Sequence, residues 1–414
     1  MVLLCGYEGF IQYFQPKGFN AFKLFVAGVM FVAFCLLVRI AWKCIRHRST
    51  FSWFFTFYYA LYLVYCVITV MRSAEPDVQA IANLFGSYTT GLGLLVPIIA
   101  VAGDRIVNHD ILLRTGLKLI WVGILLTPLG LAEGRLALFA SPFIQVSYLL
   151  LPFWLYLDKK QRQLLIAGLV ICLLVSLLTN VRAILMREFL LIGCFWAFYI
   201  LRQKSVITIV ADIMAVVTVV TLTIYAQDIT SLFAQREIDV FGIKIDNDQN
   251  RVWMYEEVYA DLNNKGDLLF GRGALGKYFS EFFYSVYQYE GSSADDYNRY
   301  NIEVGVLSYL LKGGYVLVWS TLFLLLAAGF LGLMKAKNTY VIGLGIVVLC
   351  HVVGIFIENY PKLAAYNVII WLYAGACLSA TMRASKDPFQ SFRPQNHYRQ
   401  SPPIQATLDH QLTV

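Results

Sequence analysis

Charge is scarce in this chain. Of its 414 residues, 14% are Asp, Glu, Lys or Arg, while 59% are hydrophobic. A soluble domain carries roughly 25% charged residues, so this sequence cannot cover a water-facing surface. Residues 1–23 (MVLLCGYEGFIQYFQPKGFNAFK) lack the basic start, apolar centre and small-residue cleavage site of a secretory leader. The eight cysteines are scattered through apolar runs, among them Cys35, Cys66, Cys172, Cys194 and Cys377, with no CxxC pair and no Cys/His metal spacing. A disulfide scaffold and a zinc module are thereby excluded, and buried thiols are the expectation. The net charge of +7 is distributed rather than clustered. It fits the basic bias of cytoplasmic membrane loops and requires no nucleic acid partner.

What the sequence does hold is a series of apolar runs of about 17–25 residues, the length needed to cross a bilayer as helix. The fold class that follows is an all-α, polytopic integral membrane protein. About eleven spans are expected, at 22–41, 51–70, 88–103, 112–130, 138–157, 163–180, 184–201, 206–226, 314–334, 339–357 and 364–382. A shorter apolar stretch at 302–311 cannot cross alone and reads as re-entrant or as a tilted extension of the ninth span.

Alternate connections differ in charge. One set carries Lys43, Arg46 and Arg48; Arg105, Arg114 and Lys118; Lys159, Lys160 and Arg162; Arg202 and Lys204; Lys335 and Lys337; and Arg383, Lys386, Arg393 and Arg399. The other short connections carry Arg72, Arg135, Arg182 and Lys362. The first set is therefore cytoplasmic, with the C-terminus inside and the N-terminus outside. Lys17 and Lys23 leave open a twelve-span alternative, with residues 1–14 as half a span and both ends inside. The resulting organisation is a bundle of about eight spans over 1–226, a large outer loop over 227–301, about three spans over 302–386, and a polar tail over 387–414. That tail (SFRPQNHYRQSPPIQ) has the composition of a disordered segment.

The outer loop is acidic and rich in Tyr, Phe and Trp. Within "NRVWMYEEVYADLNNKG", apolar residues at 252, 255, 258, 259 and 262 have helical spacing, with Asn250 as N-cap and Gly266 as terminator. A second helical run is expected from Tyr278 to Tyr289. Between them lies "GDLLFGRGALG", with Gly271, Gly273 and Gly276 in six residues. This is no phosphate loop: it lacks a GK[ST] ending and a GxGxxG strand–turn–helix context, and no nucleotide is available outside the cytoplasm. The glycines allow a tight turn and close approach to a neighbour or ligand. Aromatic rings beside carboxylates and amides suit carbohydrate, and they also suit a membrane-interface belt.

Charged residues cluster at the outer ends of the spans. "TNVRAILMRE" carries Arg182, Arg187 and Glu188; "NRYNIEVG" carries Arg299, Asn301 and Glu303; "EGR" carries Glu133 and Arg135; "FIENYPK" carries Glu358 and Lys362. Charges so close to hydrocarbon are costly unless paired or used. Arginine binds phosphate in bidentate fashion, so this set reads as a cavity for an amphiphile with an anionic, polar head. Arg251 and Arg272 in the loop are placed to close it from above. No DxD or carboxylate array is present, and neither a metal nor a cofactor is expected.

The combination of "LLTNVRAIL", an Arg-Val-Trp helix in one large outer loop, "LLFGRGALG" and "NIEVGVLSYLLKGGYVLV" resembles the O-antigen polymerase and O-antigen ligase superfamily of bacterial surface-polysaccharide assembly, over roughly residues 160–335. The resemblance implies a metal-independent glycosyltransferase of the bacterial inner membrane. Its substrate would be an undecaprenyl-diphosphate-linked oligosaccharide used on the periplasmic face, and its partners a flippase and a chain-length regulator. On the resemblance, Arg182 matches the Arg after the middle span, and Gly271 and Gly273 match the loop glycines. Ligases of the family place a His just before the helix that follows the loop. Here that region reads "DDYNRYNIEVG", without His, which favours the polymerase branch. The missing His leaves the general base unassigned, with Glu303 and Asp296 the nearest carboxylates. Taken together with the charge pattern, the expected roles are catalytic for Arg182 and Glu303, and substrate-binding for Arg187, Arg251, Arg272, Gly271, Gly273, Arg299, Asn301, Arg135 and Glu358. A lipid-linked glycan transporter and a structural partner of an export complex are the rival classes.

Overall fold

A computed structural model describes residues 4, 21–45, 51–72, 91–132, 141–178, 182–199, 239–240, 243–244, 252–284, 298–300, 302–357, 362–386 and 389. The chain runs through α1 (Ala21–Ile45), α2 (Trp53–Met71), a 3-10 segment (Gly91–Asp104), α3 (Ile106–Ala132), the single turns α4 (Ser141–Ile144) and α5 (Val146–Leu149), a second 3-10 segment (Leu151–Tyr156), α6 (Lys159–Leu178) and α7 (Arg182–Tyr199). Two antiparallel ribbons follow, β1 (Asp239–Val240) with β2 (Ile243–Lys244), and β3 (Tyr278–Phe279) with β4 (Asn298–Arg299); α8 (Val252–Asn264) lies between β2 and β3. The chain closes with α9 (Gly305–Lys335), α10 (Thr339–Ile355), α11 (Ala365–Leu378) and the short α12 (Ala380–Ala384).

The protein is thus mainly helical, and α1, α2, α3 and α9 are long and apolar enough to cross a membrane. The 3-10 segment Gly91–Asp104, α10 and α11 are shorter apolar helices. Large apolar side chains on α1–α3, such as Phe31, Trp42, Phe57, Leu61, Trp121 and Leu125, point outward. Such a surface matches hydrocarbon rather than water. The expected span 206–226 lies outside the described residues.

The core forms where α9, α10, α11 and the first 3-10 segment meet, and small residues set that packing. A methyl group at Gly103 would run into the backbone of α11, and one at Gly375 into the backbone of Ala100. Without hydrophobic drive between helices in lipid, such close backbone approach supplies the van der Waals contact. Tyr59 on α2 closes the contact by donating to the carbonyl of Pro97 at 2.6 Å.

One end of the bundle gathers several connections expected on a single side. Asn338 caps α10 by accepting from Val341 N at 2.8 Å. Its amide donates to Met382 O at 2.9 Å and Ser385 O at 2.8 Å. His109 lies between the Gly103 carbonyl and the Tyr340 hydroxyl, at 2.9 and 2.8 Å. Phe389 packs on Phe153, Tyr156 and Tyr340 and is buried. The polar tail expected from residue 387 therefore begins with a docked aromatic, and residues 390–414 lie outside the described set.

At three places the backbone departs from the expected pattern. The 88–103 run is a 3-10 segment starting at Gly91, with Pro97 inside it. The 138–157 run is divided into two single turns and a 3-10 segment opened by Pro152 near its first position. The stretches at 302–311 and 314–334 join into one element, α9, broken at Gly314 (φ 64°, ψ −165°). Only glycine adopts that conformation without strain.

Candidate functional site

The glycine-rich stretch and the break in α9 belong together. A helix broken at Gly314 leaves two carbonyls and two N–H groups without partners, and each costs several kcal/mol away from water. The loop supplies all four partners. Arg272 N donates to Leu311 O and Gly273 N to Lys312 O, both at 2.8 Å, while Tyr315 N donates to Leu268 O at 2.9 Å and Val316 N to Leu269 O at 3.3 Å. The contact is backbone on backbone. A Cβ on Gly271 (φ 65°) would stand 2.6 Å from Gly313 N, Gly314 N and Lys312 C, and one on Gly314 would overlap the Leu269 carbonyl. Gly271 and Gly273 therefore approach a neighbouring helix.

Upstream, α8 forms over the expected residues. It ends at Gly266 (φ 73°), where Asp267 N bonds to Leu262 O at 2.9 Å and Gly266 N to Asn263 O at 3.1 Å. This paired closure is the glycine C-cap that the sequence implied. The second expected helix starts late. Tyr278 and Phe279 are strand residues paired with Arg299 and Asn298, and helical turns begin only at Glu281.

Arg272 is turned inward. Its guanidinium donates to Asp267 Oδ2 at 2.6 Å, to Asp261 Oδ2, to Lys277 O at 2.7 Å and to Asp261 O at 2.9 Å. These bonds hold the turn against α8, which differs from the expected position over a substrate. Burial alone would raise the Asp261 carboxyl, but hydrogen bonds and charge from Arg272 and Lys265 overcome it and hold it below its usual range. Glu257 moves the other way: burial raises it, against bonds from Phe282 N at 2.6 Å and Ser280 Oγ at 2.7 Å. The fully buried Lys312 completes this cluster, its ammonium donating to Gly276 O at 2.7 Å and Tyr300 O at 2.8 Å. Arg299 lies over the Phe283 ring at 3.9 Å, and Glu303 is exposed two residues before α9.

Arg187 forms a second cluster inside the bundle. Its guanidinium sits 5.2 Å over the Tyr148 ring and 4.7 Å over the Tyr366 ring. Tyr366 in turn is bonded through its hydroxyl to His351 Nδ1 at 3.0 Å. The neighbouring Glu188 is buried and accepts from Cys172 Sγ at 2.6 Å. Five elements, α5, α6, α7, α10 and α11, meet here. The arrangement presents a cation held between two aromatic faces, with a histidine fixed behind one of them.

Helix α8 joins the loop cluster to the end of α10, the helix that carries His351. Tyr255 donates to Phe356 O at the end of α10, at 2.6 Å, and Asp261 on the same helix holds Arg272. Six residues separate them, about 9 Å along the helix axis. Arg182 opens α7, and its side chain lies outside the described residues, as do Arg135, Arg251, Asn301 and Glu358. Sequence reasoning passed over Tyr148, Tyr366, His351 and Lys312. The signal for the last two was a His or Lys within an otherwise apolar span, where an ionisable side chain needs a partner. No metal-binding group of three or more His, Cys, Asp or Glu side chains occurs among the described residues. No family model, curated protein or solved structure matches this chain.

Proposed function

We propose that this protein is a polysaccharide polymerase that joins lipid-diphosphate-linked oligosaccharide units at the membrane face bearing the 227–301 loop. The observation that carries the reading is Arg187, a half-buried guanidinium held between the Tyr148 and Tyr366 rings, in a bundle whose α10 is joined at its end to the loop helix α8. Its position suits the diphosphate of a donor, and the aromatic faces suit the first sugar. In the reaction, the acceptor hydroxyl oxygen attacks the anomeric carbon of the donor. The bond from that carbon to the diphosphate oxygen breaks, and the electron pair leaves with the lipid diphosphate. Arg187, with Arg182 at the start of the same helix, stabilises the charge that develops there. A carboxylate, for which Glu303 is the candidate, takes the hydroxyl proton. The loop excludes water, so that transfer outruns hydrolysis.

The inner membrane, the periplasmic side and the flippase and chain-length partners follow from the sequence resemblance. A transporter would use a broken helix to open backbone groups to its cargo. In α9 those groups are capped by the loop, which favours the enzyme over the transporter. The test is reconstitution in liposomes with one undecaprenyl-diphosphate-linked repeat unit. A ladder of multiples supports the polymerase. Movement of an unchanged unit across the bilayer would establish a transporter, and transfer only to an added lipid A acceptor would establish a ligase.

A further inference from the structure

The turn Asp267–Arg272 has a tip that stands half exposed. Leu269 and Phe270 are 52% and 51% exposed, beside Met71 at 71%. Two apolar side chains held out together call for an explanation, because the rest of the turn is packed tightly against α2 and α9.

Three observations point to the same occupant. First, the tip is fastened to the end of α2, an apolar helix long enough to cross a membrane. Arg72, directly after that helix, donates to Phe270 O and Gly271 O, both at 2.9 Å. Tyr65, two turns earlier, reaches Phe270 O at 3.4 Å and Gly313 O at 2.6 Å. Helix α2 is 19 residues long, about 28 Å, which is about the thickness of the hydrocarbon core. A tip fastened between Tyr65 and Arg72 sits at the edge of that core, continuous with the outward side chains Val64, Val67, Ile68 and Met71.

Second, the carbonyls of the tip are paired within the protein. The carbonyls of Leu268 and Leu269 accept from Tyr315 and Val316, those of Phe270 and Gly271 accept from Arg72, and Gly271 N donates to Asp267 O at 2.7 Å. Pairing of these carbonyls lowers the cost of placing non-helical backbone at the edge of the hydrocarbon.

Third, neither side chain at the tip carries a charge, and the Arg72 guanidinium beside it is bonded to backbone carbonyls. The two charged residues that flank it, Asp267 and Arg272, are bonded to each other at 2.6 Å on the protein side.

We infer that Leu269 and Phe270 form a membrane anchor, inserted among the acyl chains of the leaflet at the loop end of the bundle. Each contributes apolar burial to the fixed position of the loop, independently of any glycan chemistry.

The test uses the full chain in phospholipid vesicles, with p-benzoylphenylalanine in place of Phe270 or, separately, Leu269. After irradiation, the adduct on the peptide spanning the position is identified by mass spectrometry. The same probe at Val67 reports a lipid-facing site, and at Lys265 a water-facing one. Phospholipid adducts at 269 and 270, in yield comparable to Val67 and well above Lys265, are the expected result. Adducts to a second copy of the chain, or a yield matching Lys265, would overturn the inference. The readout is a covalent lipid adduct, so the outcome does not depend on polymerase activity.

Discussion

Single residues in this protein divide by what their backbone must do. Gly271 has φ 65° and backbone atoms within 2.6 Å of where a Cβ would stand, whereas Gly266 has φ 73° and open space around it. Gly266→Ala should then cost about 1 kcal/mol from conformation alone. Gly271→Ala should cost about 3 kcal/mol or more, because the loop must also move off α9. Thermal unfolding of the two variants in detergent checks the order: equal shifts would mean that the contact at Gly271 is soft. At Arg187, a lysine keeps the charge but loses the planar guanidinium that faces two rings. On the proposed function, Arg187→Lys should lower polymer formation by roughly 10²-fold or more, with normal expression. Wild-type ladders from that variant would remove Arg187 from the reaction. His351 and Tyr366 were illegible as a pair in the sequence, since their partner Arg187 comes from a helix far away in the chain and only packing brings the three together.

At the scale of elements, the loop turn and α8 form one unit through Arg272. The Asp261 carboxyl titrates below its unfolded value. The stability it contributes is therefore present above the unfolded pKa, near about 4, and is lost as pH falls through the folded value. Limited proteolysis of the loop should quicken as the medium is acidified below about pH 4, and Asp261→Asn should flatten that dependence while raising the rate at neutral pH. The elements legible from sequence were those set by local pattern: the long apolar runs of α2, α3 and α9, and α8 with its glycine cap. The break in α9 was only half legible. "LLKGGYV" displays the glycine pair and suggests a discontinuity, but the four hydrogen-bond partners come from Leu268, Leu269, Arg272 and Gly273, and no local rule names them.

Across the whole molecule, the two ends of the bundle differ in construction. One end is tied by Asn338, His109 and Phe389; the other by Arg72, Lys312 and Tyr255. The charge bias between alternate connections expects these ends on opposite sides of the membrane. Reporter fusions after Asn264 and after Lys386 should then report opposite compartments, and the same compartment for both would overturn that topology.

The order of synthesis adds a consequence to the broken helix. Leu268, Leu269, Arg272 and Gly273 leave the ribosome before any residue of α9. When Tyr315 and Val316 emerge, their acceptors already exist, so this span reaches its final shape on a template made earlier. A chain shortened by deletion of 267–273 would deliver α9 with nothing to fold against. Its fault would then show during biogenesis, as a misinserted or degraded chain, before any question of catalysis arises.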